Sequence, residues 1–320
     1  GAVSFKAYDL ANRVSYEVDA LGYVTGYTRS TFGEAVSLTR YAVTTTLANT
    51  APTSAAQAPS VAAISAVVNA TGVDHSADRT LTTTYDKMGR VLQVTEAAAY
   101  TAYYDPVSGN DIVDTAGAKT TKNVYNSFGE VLRTSQLVDR VANTWASTNH
   151  YYDVLGRERA SIDALGYATL CDYDHFGNVL WRTEYATALA AGTWSDATYT
   201  APTTSVDDRT TTFGYDALNR KISDNRIRVT YSSASNGTTV TGDLTTSYGY
   251  DAVGNLTRTT DSGGNQTYST YDALGRVTAV IAPARSSSID GTGLVPITEF
   301  KRDAYGNVVL RIDHAITAFS

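Results

Sequence analysis

A short motif, Tyr-Asp-x-x-Gly-(Arg/Asn)-(Val/Leu), returns along the whole chain, and a chain of that kind folds as an array of one small unit. Its copies are marked by a turn residue at Asn12, Gly33, Gly89, Gly129, Gly156, Gly177, Asn219, Gly254, Gly275 and Gly306. The intervals from Asn12 to Gly33, from Gly156 to Gly177 and from Gly254 to Gly275 are each 21 residues, so the bare unit is 21 residues long and wider gaps are that unit plus an insertion. The leading pair reads Tyr8-Asp9, Tyr85-Asp86, Tyr152-Asp153, Tyr173-Asp174, Tyr215-Asp216, Tyr250-Asp251 and Tyr271-Asp272, with Tyr125-Asn126 as a variant. Two copies lack the Tyr, since Arg29 and Arg302 stand in its place, the latter before Asp303.

Comparing copies with one another shows what each position needs. The turn residue is Gly or Asn, the two residues that enter the left-handed region at least cost, which predicts positive φ at the end of a tight hairpin turn. The residue two beyond it is aliphatic in most copies, as at Val14, Val91, Leu256 and Val277, and reads as the first inward position of the outgoing strand. A second turn follows ten residues later as Asp19-Ala-Leu-Gly22, Asp163-Ala-Leu-Gly166 and Asp261-Ser-Gly-Gly264. One unit is therefore two strands and two turns. The last copy's second turn is expected at Asp313-His-Ala-Ile316, without the Gly, and the ending reads as a cut through an array.

The expected fold class is all-β: an antiparallel sheet, curved or spiralling, formed by a single array over residues 1–320. Insertions are placed near 37–80, 98–120, 184–210, 228–246 and 282–299. Within the first, apolar residues at helical spacing over 60–71, a Ser60 cap and a stop at Gly72 predict a short helix, with a mobile Ala-rich loop as the alternative. The second reads as a hairpin closed by a turn at Pro106. All six prolines fall in insertions, as expected if the units are ladder strands. The 23 Tyr against 7 Phe suit strands with one dry and one wet face.

Net charge is −7 and the basic residues are spread along the sequence, so no nucleic-acid partner is expected. The single cysteine, Cys171, has no internal disulfide partner, and no apolar run is long enough for a membrane span or a leader. The four histidines are scattered, and no phosphate loop, nucleophile elbow or zinc motif occurs. Asp172-Tyr173-Asp174-His175 is the one local group of metal-ligand types, and strand alternation sends its neighbours to opposite faces. The repeat aspartates are read as turn-makers accepting backbone N–H bonds, and the tyrosines as packing ladders. No catalytic residue, metal or cofactor is expected.

Motifs such as Tyr85-Asp86-Lys-Met-Gly89-Arg90, Tyr152-Asp153-Val-Leu-Gly156-Arg157 and Tyr271-Asp272-Ala-Leu-Gly275-Arg276 resemble the YD repeats of Rhs proteins. That family includes bacterial Rhs toxins, the B and C components of insecticidal toxin complexes, and the animal teneurins. The resemblance implies a sheet that spirals into a hollow shell and, in bacterial members, encloses a toxic domain. It implies as partners a polypeptide cargo or the rest of a longer Rhs-type protein, and a secreted or cell-surface location. The aspartyl self-cleavage region of cargo-releasing members is not recognisable here, although Tyr103 to Gly109 is similar to one stretch of it. Two other readings stay open: a carbohydrate-binding or adhesion module using Tyr and Trp faces, and a polysaccharide-acting enzyme with carboxylates on the sheet. Sheet edges left open would also permit self-association.

Overall fold

Alternating strands and tight turns dominate the computed structural model, which describes residues 4–45, 59–97, 101–105, 110–114, 117–232, 238–286 and 293–317. They form twenty-three strands and one helix, all pairings antiparallel, and the chain divides into two compact units with the boundary passing through β12 (Glu158–Ile162).

In the first unit, β1 (Phe5–Tyr8), β2 (Val14–Val18), β3 (Tyr23–Arg29) and β4 (Ala35–Thr44) pair in chain order. After the helix α1 (Val61–Val68), the sheet continues with β5 (Arg79–Tyr85) and β6 (Val91–Thr95). The hairpin of β7 (Thr101–Asp105) and β8 (Asn110–Asp114) stands apart, and its Pro106 turn lies outside the described residues. Then β9 (Thr120–Tyr125), paired with β6, is followed by β10 (Val131–Asp139) and β11 (Thr144–Tyr152).

The core of this unit sits where α1 covers the first three strands. Ser60 caps the helix by accepting the Ala63 N–H at 3.2 Å. Val68 is its last residue, four short of Gly72, because Asn69 turns its backbone and side-chain N–H groups onto the Ser65 carbonyl. Gly72 instead belongs to a separate turn in which Val73 N–H reaches the Ala70 carbonyl. Ile64 and Val68 are fully buried against Ala7, Val18 and Val24, with Phe5, Tyr16 and Tyr41 around them. Each such aliphatic side chain contributes about 1.5–3 kcal/mol by leaving water.

The second unit runs through β13 (Ala168–Tyr173), β14 (Val179–Glu184), β15 (Arg209–Tyr215), β16 (Lys221–Ser232), β17 (Thr239–Tyr250), β18 (Leu256–Thr260), β19 (Gln266–Tyr271) and β20 (Val277–Ile281), each paired with the next. The short β21 (Arg285–Ser286) and β20 both pair with β22 (Gly293–Arg302), which pairs with β23 (Val308–Thr317).

Two expectations fail here. Pro296 lies inside ladder strand β22, opposite Ala315, and not in an unpaired insertion. Its carbonyl accepts from Ala282 and the β20 ladder stops at Ile281–Ile297, so the missing N–H falls where that ladder ends. Residues 313–316 make no second turn either, since β23 runs straight through them. With Ile316 in place of Gly, nothing there takes positive φ cheaply, and the strand continues.

Candidate functional site: the repeated turn and its latch

All ten motif turn residues have positive φ, from 58° at Asn12 to 100° at Gly33, with Gly89, Gly129, Gly156, Gly177, Asn219, Gly254, Gly275 and Gly306 between them. Around each, the N–H of the turn residue reaches the carbonyl three residues back, as from Gly275 to Asp272 at 3.0 Å, and the Asp272 N–H reaches the Arg276 carbonyl at 3.0 Å. The carboxylate completes the turn. Asp272 Oδ1 accepts from Leu274 and Arg276 N–H at 2.9 and 3.0 Å, while Oδ2 takes the Arg276 Nε–H at 2.7 Å. Asp9, Asp86 and Asp216 repeat this set with Arg13, Arg90 and Arg220. Asp174, Asp251 and Asp303 repeat it with an Asn side chain in place of Arg. Asp153 accepts from Leu155 N–H at 2.8 Å.

These bonds hold the carboxyl groups of Asp9, Asp86, Asp174, Asp216, Asp251, Asp272 and Asp303 below the ordinary carboxylate range. For Asp9, Asp86, Asp216 and Asp272 the leading cause is the backbone N–H of the arginine that follows the turn. For Asp251 and Asp303 it is the asparagine side chain. The two turns without Asp exchange donor and acceptor. Asn126 faces Glu130, and Ser30 faces Glu34, so the pair keeps its bond while the acid changes sides. The second turns at Asp19 and Asp261 use the same backbone bonds to carboxylate.

At nine of the ten motif turns one strand residue sits out of register just after the turn. Tyr8 opposes Val14 while Ala7 opposes Tyr16; Tyr271 opposes Val277 while Thr270 opposes Ala279. The same bulge recurs at Arg29, Tyr85, Tyr125, Tyr173, Tyr215, Tyr250 and Arg302. A bulge bends its strand and adds local right-handed twist.

The tyrosines do more than pack. Six hydroxyls cross to the preceding unit and donate to the carbonyl two residues beyond that unit's turn: Tyr85 to Ala35, Tyr125 to Val91, Tyr152 to Val131, Tyr173 to Glu158, Tyr250 to Lys221 and Tyr271 to Leu256, at 2.7–3.0 Å. Burial pushes the Tyr173 hydroxyl up to about 12. From the other side, the arginine after a turn reaches forward. Arg90, Arg157 and Arg220 donate to the carbonyls of Asn126, Asp174 and Asp251 at 2.9–3.1 Å, and their guanidinium planes lie 4.6–4.8 Å from the rings of Tyr125, Tyr173 and Tyr250. At these three junctions the units are thereby stapled twice, and the two halves of the motif serve different neighbours.

Arg29 and Arg302 are not lapsed copies. Their Nη2 groups donate to Val14 and Val277, the same carbonyl that a Tyr would reach, while Nη1 holds the unit's own turn at the Gly33 and Gly306 carbonyls. The sequence signal was available, because both substitutions introduce the same residue.

Other sequence expectations resolve differently. Among the described residues no three His, Cys, Asp or Glu side chains come together as a metal site, and no helix is long and apolar enough to cross a membrane. The residue before the turn is a large exposed apolar side chain in Phe32, Met88, Phe128, Leu155, Phe176, Leu218, Val253, Leu274 and Tyr305, a regularity the motif reading left as an unspecified x. The basic residues, dispersed in sequence, are not all dispersed in space. Arg182, Arg209, Arg226 and Arg228 line one cleft of about 660 Å³ in the second unit.

These features define a class: an all-β antiparallel array whose units are joined by Tyr or Arg latches onto the preceding turn. The RHS Repeat family model matches residues 250–287, where two such turns lie, and the same turn geometry is repeated through both units. No curated protein sequence matches the chain. Solved structures similar to the chain include TcdB2-TccC3 with Cdc42 and TcdB2-TccC3 without its hypervariable C-terminal region, each at 14% identity and a TM-score of 0.49, covering 98% of this chain and 15% of theirs. The Tc holotoxin pore of Photorhabdus luminescens carrying a TccC3 mutation is similar at 13% identity, with a TM-score of 0.38 and coverage of 97% and 16%. The chain thus spans about 15% of the length of those proteins.

Proposed function

We propose that this chain is a non-catalytic wall segment of an Rhs-type shell that encloses a toxin or other polypeptide cargo, its ten units forming one continuous array. The carrying observation is the latching of Tyr or Arg onto the preceding unit's carbonyl, doubled at Arg90, Arg157 and Arg220 by a forward arginine, which joins strand to strand through motif residues and commits Tyr, Asp, Gly and Arg to structure. The bulge beside nine of the ten turns supports the same reading, because twist repeated from unit to unit favours a curved wall over a flat one. The exposed apolar tips, with Phe128 at 88% and Val253 at 84%, suit a wall whose rim meets more protein, as a segment of a longer secreted or surface-displayed chain would.

Small-angle X-ray scattering on the size-exclusion peak, with light scattering for the mass, tests this. A monomer with the profile of a hollow or strongly curved shell is expected. A compact filled particle would overturn the encapsulation reading.

A further inference from the structure

The cleft in the second unit is built on three adjacent strands. Arg182 of β14 and Arg226 of β16 both oppose Thr211 of β15, so the three share one row and one face. In the next row on that face Glu184 opposes Arg209. Strands lie ~4.8 Å apart, which sets the stems of Arg182 and Arg226 roughly 10 Å apart over a short threonine. Arg209, two residues along β15 from Thr211 and on the same face, lies diagonal to Arg226, and the short Thr211 side chain leaves room beside the two guanidinium groups.

The charges there are unevenly satisfied. Arg182 is paired with Glu184 at 3.0 Å. Both oxygens of Asp208 are occupied, by the Ala186 N–H at 2.9 Å and the Ser205 N–H at 2.7 Å. Asp224, which lies on the Arg226 face, is held by Lys221 at 3.0 Å and by the Tyr248 hydroxyl at 2.6 Å. Among the described residues neither Arg209 nor Arg226 has a carboxylate within ion-pair distance, although Asp224 still attracts Arg226, and four arginines line the cleft against three acids, Glu184, Asp207 and Asp208. In a chain of net charge −7 this local cationic surplus is not explained by composition.

A second, independent feature is the backbone under the cleft. Arg228 has a φ of 52° inside β16, where the ladder breaks between Arg226 and Val229, and its N–H is held by Asp243 Oδ1 at 2.8 Å. A non-glycine residue in the left-handed region is costly, and such outliers concentrate at functional sites. The bulge places Arg228 at the rim, with Nη2 at 3.5 Å from the Ser205 carbonyl.

We propose that this cleft binds a tetrahedral oxyanion, phosphate or sulfate, between Arg209 and Arg226 over Thr211, with Phe213 beside it for an apolar or aromatic substituent. Guanidinium forks match such oxyanions bidentately, and the Thr211 hydroxyl adds a donor. The assignment is independent of the shell reading.

Isothermal titration calorimetry of the whole chain against inorganic phosphate, inorganic sulfate, phenyl phosphate and acetate tests it. Saturable one-site binding of the tetrahedral anions is expected, with acetate at least roughly tenfold weaker. Tighter binding of phenyl phosphate than of phosphate would identify a phosphomonoester as the ligand source, and equal binding the free ion. Arg226→Gln and Arg209→Gln, both at exposed positions, should each weaken binding roughly tenfold or more, with circular dichroism unchanged. Arg311→Gln, outside the cleft, should leave it unaltered. No saturable binding, or equal affinity in the wild-type chain and Arg226→Gln, would overturn the proposal. Should one glutamine variant fail to fold, the other and Arg209→Lys, which keeps charge but loses the fork, carry the same comparison.

Discussion

The hairpins under α1 and the repeats of the second unit share one turn motif but are stabilised differently. In the first unit Ile64 and Val68 close a small apolar core over β1, β2 and β3, so burial there supplements the ladder. Among the described residues the run from β13 to β23 has no helix over it, and its regular strength lies in latches such as Tyr271 to Leu256 and turn carboxylates such as Asp272. The difference teaches that the motif is self-sufficient as a joint. It holds without a layer above it where, as at Tyr125, Tyr173 and Tyr250, the hydroxyl satisfies a neighbour's carbonyl and the ring receives a cation.

The largest expected effect separates the two regimes. Ile64→Ala should cost about 2–5 kcal/mol through the cavity it leaves. Hydrogen exchange should rise in β1–β3 and stay unchanged in β17–β20; a uniform rise would erase the contrast. Next, Gly275→Val should cost about 1–3 kcal/mol, because a β-branched residue is forced to a φ of 73°. Asp272→Asn at the same turn should lower the thermal midpoint much less, and equal losses would contradict the turn assignment. Tyr271→Phe removes the hydroxyl latch while keeping the ring, for a loss of about 0.5–1.5 kcal/mol.

A smaller effect sharpens the donor–acceptor exchange seen at Asn126 and Glu130. The double change Asp272→Asn with Arg276→Glu should recover part of the midpoint lost by Asp272→Asn alone, since the pair then bonds with its roles reversed. The smallest effect per residue is acid sensitivity. The folded turn aspartates titrate below their ordinary value, so their contribution is complete above about pH 4 and is lost as pH falls through the lowered folded values. Two of these groups, Asp9 and Asp86, lie in the first unit, and six, Asp174, Asp216, Asp251, Asp261, Asp272 and Asp303, in the second. Exchange followed on lowering pH should therefore show the second unit opening first.

Much of the fold was legible because the repeat supplies its own comparison. Substitution of Asn for Gly at positions 12 and 219 identified the positive-φ site, and the Asp three residues before it identified the carboxylate that closes the turn. The 60–71 stretch was legible as a helix start but not as a helix end, because Asn69 folding back onto Ser65 is a side-chain choice that propensity does not rank. Pro296 in a ladder strand was hidden for a similar reason, since whether a missing N–H matters depends on where the neighbouring strand stops.

What the sequence determined by itself is local: period, turn position, strand class and the identity of the turn-making acids, all set by contacts within a few residues of one another. What only the tertiary structure decided is pairwise between distant residues. It brought the Tyr hydroxyl onto the preceding unit's carbonyl, showed Arg29 and Arg302 making that same bond, and gathered Arg182, Arg209 and Arg226 around Thr211. Strand register sets which side chains share a row, and register is fixed by ladders and bulges that pair residues tens of positions apart.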